Sequence, residues 1–103
     1  MLKTNQYFDG KVASIALQTT TLPATVGVMD IGDYQFDTVQ HEIITVISGC
    51  LSVKLPDNKK FTEFKDGDSF EVAAGKTFAL KVAVQTAYSV SYTHLTLPTN
   101  REV

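Results

Sequence analysis

No stretch of about 10 to 12 residues in this chain keeps its apolar side chains at the spacing of a helix face. Short runs of β-branched and aromatic residues, bounded by turn sequences, recur instead. Residues 11–17, where Ile15 and Leu17 share a face, end at Thr19-Thr20-Thr21-Leu22-Pro23; residues 24–31, with Val26 and Val28 on one face and Met29 and Ile31 on the other, end at Ile31-Gly32-Asp33. Tyr34, Phe36 and Thr38 alternate with Gln35 and Asp37, the pattern of a half-buried strand. Residues 42–47 and 50–55 are strongly β-branched, joined by Ser48-Gly49 and closed by Pro56-Asp57-Asn58, which predicts a hairpin buried on both faces. Residues 61–65, 69–72, 77–84 and 86–92 complete the series, with Asp66-Gly67-Asp68 and Ala73-Ala74-Gly75-Lys76 as turns. About eight or nine short strands at regular spacing predict an all-β sandwich or barrel.

A chain of 103 residues has room for one domain, here expected over residues 1–92. Residues 93–103, with a proline, an Asn100-Arg101-Glu102 cluster and weak alternation, read as an unstructured, non-native tail outside functional reasoning. With 44% apolar and 19% charged residues the chain can bury a core. Its net charge of -2 and scattered lysines leave no basic stripe for a phosphate backbone, so nucleic acid is not an expected partner. Cys50 stands alone, which rules out an intrachain disulfide, suits a reducing cytoplasm and reads as a small buried side chain rather than a reactive thiol. The N-terminus turns polar too early for a signal peptide, and no run approaches the roughly 18 apolar residues of a membrane span. A cytoplasmic protein without a membrane partner is the expectation.

Two spacings narrow the architecture. Glu42 and Gly49 stand seven positions apart, and Gly67, Ala73, Gly75 and Phe78 follow the order glycine, five residues, one position, one residue, glycine, two residues, one position. This pattern resembles the two signature segments of the cupin family, which implies an RmlC-like jelly-roll β-barrel. The cupin histidines, however, are gone. Their places in the first segment hold Phe36 and Thr38, or Gln35 and Asp37, depending on the spacer, and the place in the second holds Phe78. Of a three-imidazole, one-carboxylate centre only Glu42 remains, and the adjacent His41 points to the other face of its strand. No metal is therefore expected, and redox-metal chemistry is disfavoured.

Strand phase suggests what lines the interior. Glu42 is in phase with Ile44 and Val46, Phe78 with Leu80 and Val82, and Tyr34 with Phe36 and Thr38. The predicted pocket is aromatic-walled, with one carboxylate, a hydroxyl or two, and Tyr88 or Tyr92 from the last strand. It suits a small, flat, polar-edged ligand.

A closer likeness rests on Asn5-x-Tyr7-Phe8-x-Gly10-Lys11-Val12-x-Ser14-Ile15, on Ala24-Thr25-Val26-Gly27-Val28-Met29, on Gly32-x-Tyr34-x-Phe36-x-Thr38, and on Val46-Ile47-Ser48-Gly49 followed by Leu55-Pro56. Together these resemble the pyrimidine/purine nucleoside phosphorylases, small cupins once grouped as a domain of unknown function. Ala73 stands where that family usually has proline, Phe61 lies near its usual tryptophan, and Ser89-Val90-Ser91-Tyr92 replaces an apolar residue and a cysteine followed by aromatics. The resemblance implies phosphorolysis of many purine and pyrimidine nucleosides by a metal-free homodimer, with inorganic phosphate as co-substrate and no cofactor. On that reading Glu42 is the catalytic residue, stabilising a cationic sugar or holding its hydroxyls. Tyr34, Phe36 and Phe78 stack on base or sugar, and Thr38 and Tyr88 complete the substrate contacts. Backbone amides, Thr38, Lys54 or Lys81 are the available phosphate donors, since Arg101 lies in the tail. The competing readings are a non-catalytic cupin that binds a small metabolite and a metal-dependent cupin enzyme. For Tyr34, Phe36 and Phe78 the plain alternative is core packing, and for His41 a surface position.

Overall fold

Ten strands organise residues 2–92, the part of the chain that the computed structural model describes: β1 (Thr4–Tyr7), β2 (Val12–Gln18), β3 (Pro23–Met29), β4 (Gly32–Asp37), β5 (Glu42–Ser48), β6 (Cys50–Lys54), β7 (Thr62–Lys65), β8 (Ser69–Val72), β9 (Thr77–Val82) and β10 (Thr86–Tyr92). The chain is all-β, and the described residues include no helix long and apolar enough to cross a membrane. The tail expected over residues 93–103 lies outside the described residues.

The strands pair antiparallel in two sheets, one of six in the order β1-β2-β3-β10-β5-β8 and one of four in the order β4-β9-β6-β7. The hairpin expected from residues 42–47 and 50–55 does not form. Strand β5 pairs with β10 and β8, while β6 pairs with β9 and β7, so Ser48-Gly49 is a corner between sheets. Gly49 has φ +120 and lies so close to Thr86 that a Cβ would come within 2.5 Å of its hydroxyl oxygen. The Cys50 amide donates to that hydroxyl at 3.2 Å, which ties the corner to the start of β10. Nor is β5 buried on both faces: Glu42, Ile44 and Val46 are buried, Ile43 and Thr45 half-buried and Ile47 exposed. Cys50, expected to be buried, is half-buried.

The inner faces of the sheets make one core. Val12, Met29, Ile44, Val46 and Val90 from the larger sheet meet Leu51, Val53, Phe78, Leu80 and Val82 from the smaller. On β2 and β3 the usual phase is reversed. Ile15, Leu17, Val26 and Val28 are exposed, whereas Ser14 and Thr25 point inward and are buried.

Different contacts hold the two places where sheet edges meet. Near β7 and β8, the Val46 amide donates to the Asp68 carbonyl at 2.9 Å, the Gly67 amide donates to the Val46 carbonyl at 2.8 Å, and Phe64 packs on Phe70 at 4.7 Å. Along β4, rings from the β1–β2 turn make the contact: Phe8 lies 5.0 Å from Tyr34 and 5.5 Å from Phe36, and Tyr7 meets Phe36 edge-on at 6.2 Å. The turn holds Phe8 at φ 54 and Asp9 at φ 57, with the Gly10 amide donating to the Tyr7 carbonyl at 3.2 Å. That is a primed turn whose central positions favour asparagine and glycine. An ordinary L residue in left-handed backbone costs roughly 1–2 kcal/mol, so the Phe8 ring contacts offset an unfavourable turn.

Candidate active site

Strand alternation sends a group of polar side chains into the space between the sheets. Glu42 opens β5 and is 0% exposed, opposite Val72 of β8 on one side and Tyr92 of β10 on the other. Four residues earlier on β10, Tyr88 sits opposite Gly27 of β3, beside a register shift against β5 that places Ala87 opposite Ser48 and Tyr88 opposite Val46. Bulges of this kind commonly re-aim a side chain beside a functional site. Ser14 and Thr25 add hydroxyls from β2 and β3, and the Thr25 and Tyr92 hydroxyl oxygens stand 3.4 Å apart.

Gly27 makes room for the Tyr88 phenol. A Cβ there would lie 2.7 Å from the phenol oxygen and 2.5 Å from the Ala13 carbonyl oxygen. Burial pushes the pKa of Tyr88 upward; the Tyr7 and Tyr92 phenols and Glu42 push the same way, and only the Ser14 hydroxyl opposes them. Tyr88 is therefore a neutral hydroxyl donor throughout the physiological range. Collecting so many polar groups in a core costs free energy, and perturbed titratable groups in such a place mark a candidate site.

The other half of the interior is aromatic. Phe36 and Phe78 face each other in register on β4 and β9 with centroids 6.0 Å apart, and Phe78 continues to Phe70 at 6.2 Å. Of the residues singled out from the sequence, the structure brings Glu42 and Tyr88 into the polar group and Phe36 and Phe78 into the aromatic wall. Tyr34 and Thr38 share the inward phase, but their hydroxyls serve the backbone. The Tyr34 phenol donates to the Asp30 carbonyl at 2.7 Å, and burial, followed by Asp30 and Asp33, raises its pKa. The Thr38 hydroxyl donates to the Ala73 carbonyl at 2.6 Å and accepts the Lys76 amide at 3.0 Å, pinning the β8–β9 turn to the end of β4. Lys54 is exposed, and Lys81 lies over the Phe61 ring at 4.6 Å, so neither reaches the interior. His41 pairs with Glu71 at 3.0 Å.

Ser14, Thr25 and Tyr7 were not singled out by sequence reasoning. The available signal was phase: Ser14 shares a strand face with Val12, and Thr25 with Met29. The described residues bring no three metal-ligating side chains together. Phe78 and either spacing of the first segment, Phe36 with Thr38 or Gln35 with Asp37, supply no imidazole at the cupin ligand positions and do not fit its metal centre.

The tyrosines give a pH prediction. A phenol whose folded pKa lies above its unfolded value of 10.0 contributes stability that is complete below pH 10 and is lost as pH rises beyond it. Melting temperature should therefore hold between pH 7 and 9 and fall above pH 10. Each such tyrosine contributes up to about 1.4 kcal/mol per pH unit. In Tyr88→Phe and Tyr34→Phe the alkaline fall should be shallower, by thermal denaturation across that range.

A family model described as pyrimidine/purine nucleoside phosphorylase matches residues 2–92. A protein of Hahella chejuensis named pyrimidine/purine nucleoside phosphorylase is 63% identical over 92 residues, covering 89% of this chain and 99% of its own. Among solved structures, a protein of unknown function from Vibrio parahaemolyticus superposes with a TM-score of 0.86 at 37% identity, covering 89% of this chain and 98% of that one. An RmlC-like cupin from Shewanella frigidimarina superposes with a TM-score of 0.69 at 16% identity over 88% of this chain and 82% of that one, a likeness of fold alone.

Proposed function

The chain belongs to the pyrimidine/purine nucleoside phosphorylase family, and from that premise we propose that it cleaves purine and pyrimidine nucleosides with inorganic phosphate, without a metal ion or other cofactor. A phosphate oxygen forms a bond to C1′ of the sugar. The C1′–N bond breaks, its electron pair leaves with the base, and the products are free base and pentose 1-phosphate. The observation that carries this reading is Glu42, fully buried on the inner face of β5 opposite Tyr92, in a core that also holds Tyr88 and the Phe36–Phe78 pair.

Positive charge develops on the sugar as the glycosidic bond lengthens, and the Glu42 carboxylate stabilises it where little water screens the interaction. Lys54 and Lys81 lie outside, and no lysine or arginine is buried among the described residues, so phosphate is met by neutral donors. Tyr88, held in its protonated form, is foremost, with Tyr92, Ser14 and Thr25. Phe36 and Phe78 stack on the base. Every base offers a ring face, so stacking with few edge contacts tolerates purines and pyrimidines alike. Tyr34 and Thr38 contribute by positioning β4 and the β8–β9 turn.

Three structural and cellular statements complete the reading. The two sheets are the halves of a cupin jelly-roll barrel. The protein works in the cytoplasm, in keeping with its lone cysteine. The active form is a homodimer built on the outer face of β2 and β3, where Ile15, Leu17, Val26 and Val28 form a strip of exposed apolar side chains. Such a patch marks an interaction surface. Val26→Lys should shift the protein from dimer to monomer in sedimentation analysis at micromolar concentration.

The enzymatic test is direct. Purified protein with phosphate should release free base from uridine, adenosine and guanosine, with none released when phosphate is omitted. Saturable nucleoside binding without base release would show a binding protein instead.

A further inference from the structure

Glu42 and Tyr88 are 0% exposed and Tyr92 1%, so a nucleoside reaches them only if part of the shell moves. The contacts around the shell differ in kind. Backbone hydrogen bonds link the β7–β8 turn to β5, and the Thr38 amide and carbonyl join the β8–β9 turn at 2.8 and 3.0 Å. The β1–β2 hairpin meets β4 through the rings of Tyr7 and Phe8. Strand β1 is a polar edge strand of four residues, paired on one side with β2.

Phe8 itself is 45% exposed and held at a left-handed φ of 54. Backbone strain of this kind concentrates at functional clamps and switches. Two surface depressions flank its ring, of about 430 and 410 Å³, and Gln35 borders both. Tyr7 and Phe36 line the second. Tyr7 is half-buried, borders that depression and meets the inward-facing Phe36 edge-on at 6.2 Å, so its ring lies at the boundary between the surface and the core.

We propose that strand β1 and the turn that follows it are the gate of the buried polar group, moving against β2, which stays paired along β3, with Phe8 as the latch on Tyr34 and Phe36, and that closure brings Tyr7 against the bound nucleoside. This rests on the phosphorolysis reading. Opening swings Phe8 off β4 and exposes the aromatic wall, and closure excludes water from the sugar before the glycosidic bond breaks.

The chain has no tryptophan, so Phe8→Trp supplies a single fluorescent reporter. Uridine without phosphate should produce a saturable change in its emission and iodide quenching, whereas Val84→Trp, in the β9–β10 turn, should stay constant. Tyr7→Phe should raise KM for uridine about five- to tenfold with an unchanged melting temperature. The gate is overturned if wild-type protein releases base while Phe8→Trp emission stays flat through saturating uridine and Tyr7→Phe keeps wild-type KM and kcat. Should wild-type protein release no base, the phosphorolysis reading falls and hydrogen exchange decides the gate. Faster exchange over residues 5–8 in Phe8→Asn, with β7 and β8 unchanged, supports it; unchanged exchange removes it.

Discussion

Glu42→Gln should lower kcat for phosphorolysis about 10²- to 10³-fold, the size of effect seen when one preorganised electrostatic contact is removed from a transition state. The substitution keeps shape and volume, removes the charge and replaces one acceptor oxygen with an NH2 donor. KM should change little, because a neutral ground-state sugar gains little from the carboxylate, whereas a sugar with cationic character gains much. The melting temperature separates this role from a structural one. A charged carboxylate buried in a core costs several kcal/mol of desolvation that the amide does not, so the variant should be as stable as wild type or more so. Loss of activity together with loss of fold would instead make Glu42 a structural member of the core. The measurements are initial rates of uracil release and thermal denaturation on the same preparation.

Much of this arrangement is legible in the sequence, and the illegible parts have physical reasons. The runs that became β4 to β10 stand out because β-branched and aromatic residues alternate with polar ones between turn residues. Strand β1, Thr-Asn-Gln-Tyr, has no such alternation; it is an edge strand that contributes mainly Tyr7 to the interior. Alternation also says which residues share a face without saying which strands pair. That is why β5 and β6, consecutive and both β-branched, read as a hairpin, although the left-handed glycine between them sends each to a different sheet. Glu42 is conspicuous because a carboxylate in an apolar run needs an explanation. Tyr34 and Thr38 share the phase of Phe36, but phase cannot show that their hydroxyls are engaged by the Asp30 and Ala73 carbonyls. Ser14 and Thr25 are the hardest to find, because polar positions in alternation ordinarily face water. On β2 and β3 the pattern is partly inverted: Ser14 and Thr25 join Val12 and Met29 on the inner face, and the outer face is an apolar strip.

Gly27→Ala should have the largest effect on stability, lowering the melting temperature by about 10–20 °C, which corresponds to about 2–3 kcal/mol of overpacking in a domain of this size. The two glycines of the second cupin segment make a useful contrast. Gly67 and Gly75 have φ +87 and +71 with nothing within 4 Å of an added Cβ, so substitution there meets only backbone strain of roughly 1–2 kcal/mol. At Gly27 the added methyl would stand 2.5 Å from the Ala13 carbonyl oxygen and 2.7 Å from the Tyr88 phenol oxygen. The carbonyl belongs to a strand paired along β3 and cannot retreat without breaking the ladder. The phenol can move only by leaving the polar group around Glu42. Gly27→Ala should therefore also reduce kcat beyond what its stability loss explains, when assayed well below its melting temperature. Adding Tyr88→Leu removes both the phenol oxygen and the ring Cζ, which would stand 2.8 Å from the added methyl, and leaves the carbonyl clash, so the double variant should lose less melting temperature than the two single losses added together and recover none of the activity. The two substitutions would then be non-additive in stability, as expected for side chains in direct contact. Additive losses would show that Tyr88 does not rest on Gly27 and that its phenol is placed by some other contact.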